Sequence, residues 1–76
     1  MPGRVYNRFK ILLAEKQTRE NRKISYEEIK NATGIATSTL SAWATNTVKG
    51  YSADTIAALC DYLSCELNEL IVYEPE

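Results

Sequence analysis

A run of short hydroxyl side chains lies near the middle of the chain, in the segment TGIATSTLSAW from Thr33 to Trp43. Five of its eleven residues carry a hydroxyl group and none carries a charge, although both flanking segments are rich in charge. A hydroxyl group both donates and accepts hydrogen bonds, and the threonine methyl group adds an apolar contact. These residues could therefore make short, uncharged contacts with a ligand if a rigid element presents them.

The segment before this run carries the signals of a short helix. Ser25 is a preferred N-terminal cap, and Glu28 stands three residues later, which is the spacing of a capping box. Gly34 can adopt the left-handed conformation that ends a helix. We therefore predict a helix from Tyr26 to Thr33, followed by a tight turn.

The hydroxyl-rich run itself predicts the next helix, from Thr37 to Thr45. Leu40 and Trp43 are three residues apart, so both would be buried on one side of that helix. Asn46 is a suitable residue to end it. The opposite side would then present the short polar residues to solvent.

Other segments predict the rest of a helical bundle. A first helix is predicted from about Val5 to Gln17, because Val5, Phe9, Leu12 and Leu13 recur with helical spacing. After it, Thr18 to Lys23 contains no apolar residue and is predicted to be an exposed, mostly basic connection.

The C-terminal third predicts two more helices. Ser52 would cap a fourth helix, whose buried face is formed by Ile56, Leu59, Cys60 and Leu63. Leu67, Leu70 and Ile71 predict a short fifth helix. Pro75 cannot continue a helix and favours an extended residue before it, so the chain is predicted to end as strand or coil.

The length of the chain limits its organisation. A chain of 76 residues is long enough for one hydrophobic core of modest stability. A composition that is 45% hydrophobic and 25% charged is typical of a globular protein. We therefore expect residues 1–76 to form a single all-α domain, a compact bundle of five short helices that ends as a short strand or as coil.

Charge is distributed unevenly along the chain. Residues 1–50 contain all nine basic residues and four acidic ones, a net charge of +5. Residues 51–76 contain six acidic residues and no basic one, a net charge of -6. A polyanion would be attracted to one part of the molecule and repelled by the other.

Several functional classes find little support in the sequence. There is no histidine and no glycine-rich phosphate loop, and no serine or cysteine has a recognisable base beside it, so we do not expect an enzyme. Cys60 and Cys65 have a spacing that fits neither a disulfide nor a zinc site, and Cys60 is expected to be a buried thiol. We expect no metal and no cofactor.

No apolar run approaches the roughly 18 to 20 residues that span a bilayer, and Met1 to Lys10 lacks the apolar centre of a secretory signal, which favours a cytoplasmic protein.

Two longer runs resemble a known family. SYEEIKNATGIATSTLSAW, from Ser25 to Trp43, resembles the helix-turn-helix of the Cro and phage-repressor family. ADTIAALCDYLSCELNELIVYEP, from Ala53 to Pro75, is similar to the two following helices of a compact bacterial subgroup. The positions that match are the turn glycine, the apolar residues between the two helices and the start of the fourth helix, namely Gly34, Ile29, Ile35, Leu40, Trp43, Ser52 and Thr55.

The resemblance implies double-stranded DNA as the partner and transcriptional regulation as the function, with the third helix in the major groove. The residues expected to contact bases are Thr37, Ser38, Thr39, Ser41 and Ala42. Those expected to contact phosphates are Arg19, Arg22, Lys23, Tyr26 and Lys49, although Tyr26 could equally pack against the first helix.

The chain departs from the family pattern at three points. Lys30 stands where the family usually has alanine, and Ala36 replaces the usual serine cap of the recognition helix, so that Thr37 could take over the cap. The recognition helix also lacks the arginine with which family members often reach guanine. Serine and threonine bond to several bases, and readout should therefore be permissive.

The C-terminal segment LIVYEPE raises the question of assembly. Proteins with a helix-turn-helix commonly bind DNA as two-fold dimers, and we expect Leu70, Ile71, Val72 and Tyr73 to form the contact of a homodimer. In the alternative, these residues fold back onto Val5 and Phe9 and close the core of one chain. A different function, that of a protein-interaction module such as an antitoxin or adaptor, would use the same bundle to hold a protein partner by its acidic end.

Overall fold

The computed structural model of the chain describes residues 3–75, which form five helices and a two-stranded antiparallel sheet. In chain order the elements are β1 (Arg4–Asn7), α1 (Phe9–Glu20), α2 (Tyr26–Thr33), α3 (Thr37–Thr45), α4 (Ala53–Leu63), α5 (Leu67–Leu70) and β2 (Ile71–Glu74). The predicted bundle of five short helices and the predicted C-terminal strand are both confirmed.

The ends of the helices follow from local signals. Ser25 accepts a hydrogen bond from the backbone N–H of Glu28 (3.1 Å) at the start of α2, and Gly34 ends the helix with a φ of 80°. Asn46 ends α3 in the same left-handed conformation, with a φ of 57°. Ala36 is the N-terminal cap of α3 and makes no side-chain hydrogen bond, so the expectation that Thr37 takes over the cap is wrong.

The prediction that α1 begins at Val5 is wrong, because Val5 belongs to β1. It pairs with Tyr73 of β2, and the register continues through Tyr6 with Val72 and Asn7 with Ile71. The Asn7 side chain accepts a hydrogen bond from the N–H of Phe9 (3.0 Å), which turns the chain from strand into helix. Strand formation here depends on a partner at the other end of the chain, and helical spacing of apolar residues cannot reveal it.

The core lies where the helical faces meet. Its largest fully buried side chains come from all five helices, and they are Phe9, Ile29, Leu40, Trp43, Leu59 and Leu70. The faces predicted for the helices are confirmed at these positions. Val5, which the sequence placed on the buried face of α1, is instead about half exposed on the strand. Within residues 3–75, no helix has the length and apolar character needed to cross a membrane.

Candidate nucleic-acid interface

The exposed side of α3 carries a continuous stripe of small uncharged residues. Ser38, Ser41 and Thr45 are exposed, and Ala42 is half-buried beside them. Their spacing of three, four and seven residues places them on one side of the helix, opposite the buried Leu40 and Trp43. We call Ser38, Ser41, Ala42 and Thr45 the α3 stripe.

The α3 stripe differs in part from the sequence prediction. Of the five residues expected to contact bases, Ser38 and Ser41 are exposed, whereas Thr37, Thr39 and Ala42 are half-buried. Thr45 was missed, although it stands seven residues after Ser38 and therefore falls on the same side of a helix. That spacing was the signal that could have found it.

Thr45 is held in a fixed orientation at the end of α3. Its hydroxyl lies 3.1 Å from the carbonyl oxygen of Ser41 and 2.9 Å from the hydroxyl oxygen of Thr47. A threonine hydroxyl has a single proton, so when this proton is donated to the carbonyl the side chain can offer only acceptor capacity and its methyl group to a ligand.

The turn between α2 and α3 is fixed by backbone and hydroxyl contacts. Gly34 has the positive φ that the turn requires, and its N–H donates to the carbonyl of Lys30 (2.7 Å). The Thr33 hydroxyl donates to the carbonyl of Ile29 (2.7 Å) and accepts from the N–H of Ile35 (3.2 Å). Because α2 and α3 are in contact through buried side chains, this turn sets the angle at which α3 is presented.

The other end of α3 is tied to the sheet by a pair of asparagines, which we call the asparagine clasp. The side-chain oxygen of Asn46 accepts from the backbone N–H of Asn7 (2.8 Å) and from its side-chain amide (3.1 Å). The Asn46 side-chain amide donates in return to the carbonyl oxygen of Asn7 (3.2 Å). Asn7 is only 4% exposed, so its polar groups depend on these partners.

Basic residues lie in the last turn of α1 and in the loops that follow α1 and α3. Arg19, Lys23 and Lys49 are exposed, as expected of groups that contact phosphates. Tyr26 is half-buried, with its ring centroid 6.2 Å from that of Phe9. Its ring therefore packs against α1, as in the second of the two roles predicted for Tyr26.

Arg22 differs from the other predicted phosphate contacts, because it is already paired with two carboxylates. Its guanidinium lies 2.7 Å from a carboxylate oxygen of Glu28 and 2.9 Å from one of Glu20. The hydrogen bond from Arg22 lowers the pKa of Glu28, and the hydrogen bond from Lys16 lowers the pKa of Glu20. The Glu28 carboxylate is thus engaged by Arg22 and does not complete the predicted capping box with Ser25.

Known proteins share both the sequence pattern and the fold. The family model of the Cro/C1-type HTH DNA-binding domain matches residues 10–76. The chain belongs to this family. A candidate DNA-binding protein from Bacteroides fragilis has a similar structure, with a TM-score of 0.71 and 28% identity over 91% of this chain and 100% of that one.

A second solved structure supports the fold of this Cro/C1-type domain. It is described as the transcriptional regulator VanUg, and it matches with a TM-score of 0.64 and 24% identity over 100% of this chain and 92% of that one. No curated protein is significantly similar to the chain in sequence. The resemblance to the Cro and phage-repressor family inferred from the sequence is confirmed by the family match.

The segment expected to form a dimer contact is largely used within the chain. Leu70 is fully buried in the core, and β2 pairs with β1 of the same Cro/C1-type domain. Ile71 and Val72 are half-buried, and Tyr73 is exposed. The alternative, in which the segment folds back and closes the core of one chain, describes the position of Leu70.

The two cysteines are free thiols, and both are half-buried. Burial raises the pKa of the Cys65 thiol to about 11, so it is protonated at neutral pH. In the part of the chain that the structure describes, histidine, cysteine and acidic side chains form no group of three that could hold a metal ion.

Proposed function

We propose that this Cro/C1-type domain is a transcriptional regulator that binds double-stranded DNA in a sequence-specific manner, with α3 in the major groove. The observation that supports this most is the α3 stripe, an exposed row of small polar side chains on a helix fixed at both ends. The relatives described as a candidate DNA-binding protein and as a transcriptional regulator point the same way. Residues 1–76 act as one domain in this proposal, and the cytoplasm is where such a protein would meet its DNA.

The chemistry of the α3 stripe determines what it reads. Ser38 and Ser41 can bond to several base edges, and Ala42 and the Thr45 methyl group can contact a thymine methyl group. This helix contains no arginine, the side chain that makes bidentate hydrogen bonds to guanine. Discrimination between bases should therefore be modest, and the half-buried Thr37 and Thr39 add contacts at the edges of the stripe.

Affinity then depends on the phosphates. Arg19, Lys23 and Lys49 are exposed cations that flank the helix-turn-helix in sequence, and each phosphate that they neutralise releases counterions. Arg22 contributes less, because DNA must compete with Glu20 and Glu28 for its guanidinium. Tyr26 can donate its hydroxyl to a phosphate while its ring stays against Phe9.

The salt dependence of binding to duplex DNA tests this proposal against the protein-interaction module. A plot of log affinity against log salt should be steep, and Lys49→Ala should lower its slope by about one, equally for all sequences. Lys10→Ala is the control, because it also removes one exposed positive charge. Lys10 is not among the predicted phosphate contacts, and it lies nine residues, or about 13 Å along α1, from the predicted contact Arg19. A flat salt dependence of the unmodified protein would favour the protein-interaction module.

We further propose that the chain acts as a homodimer, since two recognition helices about 34 Å apart match one turn of DNA. A two-fold site in the DNA would then mirror the two-fold axis of the protein. This requires a surface outside the α3 stripe through which two copies can meet.

A further inference from the structure

The two cysteines of the chain are brought together by the turn that ends α4. Cys60 lies in the last turn of this helix, and Cys65 follows two residues after its end. On a continuous helix, a spacing of five residues would place the two side chains about 140° apart, on different faces. Ser64 instead adopts the left-handed conformation, with a φ of 55°, and turns Cys65 back towards Cys60. We call Cys60 and Cys65 the thiol pair.

A backbone hydrogen bond fixes the thiol pair. The carbonyl oxygen of Cys60 accepts from the N–H of Cys65 at a distance of 3.0 Å. With standard bond lengths, this leaves the two Cα atoms less than about 7 Å apart, the limit beyond which a disulfide cannot form without backbone movement. Turns of this type commonly bring the two bonded residues' side chains into contact. The turn therefore supplies a geometry that the spacing in the sequence does not reveal.

The surroundings of the thiol pair leave it open to chemistry. Both side chains are half-buried and pack against the edge of the hydrophobic core. Burial raises the pKa of the Cys65 thiol to about 11, and the charge of a neighbouring Cys60 thiolate raises it as well, so the two sulfur atoms are close enough to interact. Among residues 3–75 no third ligand completes a metal site around them. Two adjacent thiols without a metal are suited to disulfide chemistry.

We propose that Cys60 and Cys65 form a reversible intrachain disulfide by exchange with a low-molecular-weight disulfide. The Cys60 thiolate attacks one sulfur of the small disulfide, which forms a mixed disulfide and releases one small thiolate. The Cys65 thiolate then attacks Sγ of Cys60, closes the protein disulfide and releases the second small thiolate. Two electrons pass from the protein to the small disulfide, and the two thiol protons pass through solvent to the released thiolates.

The order of attack follows from the thiol pair itself. Cys65 is protonated at neutral pH, which makes it the poorer first nucleophile. Once Cys60 is linked in the mixed disulfide it carries no charge, and one of the two causes that raise the pKa of Cys65 is gone. Cys65 is therefore the resolving thiol.

The disulfide would stabilise the C-terminal part of the fold. Cys65 directly precedes Glu66, the N-terminal cap of α5, and α5 carries the fully buried Leu70. A bond from Cys65 to α4 therefore holds the turn that leads Leu70 into the core. In a reducing compartment such a disulfide is transient, so the stability of this region would follow the redox state. This inference goes beyond the proposed function and does not depend on it.

Equilibration of the full chain with oxidised and reduced glutathione tests the inference. Free thiols are blocked with iodoacetamide, and intact mass spectrometry should find a chain that has lost two hydrogen atoms and carries no adduct. At one glutathione ratio, the ratio of disulfide to dithiol should be on the order of 10-fold higher in the folded chain than in urea, because native geometry favours closure. By the same linkage, oxidation should raise Tm by roughly 5 to 10 °C, and dithiothreitol should reverse the shift.

The matched control is the double variant Ser64→Cys/Cys65→Ser, which keeps two cysteines but moves one thiol to an exposed position. It should acquire glutathione adducts in place of an intrachain disulfide. Cys65→Ser should acquire at most one adduct, with no rise in Tm. Circular dichroism would check that both variants fold, and if the double variant does not, the comparison of folded and urea-unfolded chain decides.

Several results would overturn the inference. The unmodified chain would then keep two alkylatable thiols, or carry glutathione adducts alone, at every glutathione ratio. Equal closure in the folded and the unfolded chain, or in the double variant, would show that the turn after α4 does not favour the bond. A lower Tm after oxidation would show that the disulfide does not fit the native fold.

Discussion

The asparagine clasp makes a quantitative prediction for Asn46→Gly. Asn46 has a φ of 57°, which glycine adopts without strain, so the substitution preserves the backbone and removes only the side chain. What is lost is three hydrogen bonds to Asn7, of 2.8, 3.1 and 3.2 Å. The variant therefore isolates the contribution of the clasp.

The expected magnitude follows from the number and burial of these bonds. A typical intramolecular hydrogen bond contributes about 1 kcal/mol net, so the three bonds contribute about 3 kcal/mol. The Asn7 side-chain amide keeps the Tyr51 hydroxyl, at 3.4 Å, as a partner. Glycine in the left-handed conformation recovers up to about 1 kcal/mol. The free energy of unfolding should fall by about 2 kcal/mol, which lowers Tm by roughly 8 to 16 °C in a domain of this size.

Asn21→Gly is the matched control for this variant. Asn21 ends α1 with a φ of 53°, and within the described part of the chain its side chain makes no hydrogen bond. This variant should be as stable as the unmodified chain or slightly more stable. Thermal and urea unfolding followed by circular dichroism would measure both variants. If Asn46→Gly proved as stable as Asn21→Gly, the clasp would not fix the end of α3 and the reasoning would be refuted.

Two further predictions concern the ion pairs of Arg22 and the turn before α3. Glu28→Gln should release Arg22 for phosphate contact and so steepen the dependence of DNA affinity on salt. Glu27→Gln is the control, because it removes the same charge from the same helical turn, and it should steepen this dependence less. Equal salt slopes for the two variants would show that Glu28 does not keep Arg22 from the phosphates. Because the pKa of Glu28 is lowered from its ordinary value of 4.5, its ion pair stabilises the fold above that pH and is lost below it, so Glu28→Gln should also flatten the decline of Tm in acid. Gly34→Ala should lower the free energy of unfolding by about 1 kcal/mol, because the φ of 80° is strained for alanine, whereas Gly50→Ala should be neutral in the same unfolding assay. Equal stability of the two alanine variants would contradict that assignment of strain.

The elements that the sequence predicted well are those specified by neighbouring residues. Ser25 begins α2 and Gly34 ends it. The spacing of Leu40 and Trp43 predicted α3, and Asn46 ends that helix. The helix-turn-helix was therefore predicted at the residues where the structure has it. These signals act over a few residues and require no knowledge of the rest of the fold.

The features that the sequence did not predict depend on distant or competing contacts. β1 forms because Val5 pairs with Tyr73 at the other end of the chain, and Val5 was therefore mistaken for a helical residue. Arg22 was predicted to contact phosphates without any mention of its ion pairs, because Glu20 and Glu28 contact it only once the loop has folded. Thr45 shows a different failure, since helical spacing alone was sufficient to place it beside Ser38.

Selection of bound duplexes from a random pool tests most directly whether the α3 stripe reads the base sequence. The unmodified chain should enrich a motif, and Ser41→Ala should change base preference at one or two positions with Tm unchanged or slightly raised, because Ser41 is exposed and alanine favours helices. Lys49→Ala should weaken binding but enrich the same motif. If the unmodified chain enriched no motif, or if Ser41→Ala and Lys49→Ala enriched an identical one, base readout by the α3 stripe would be contradicted.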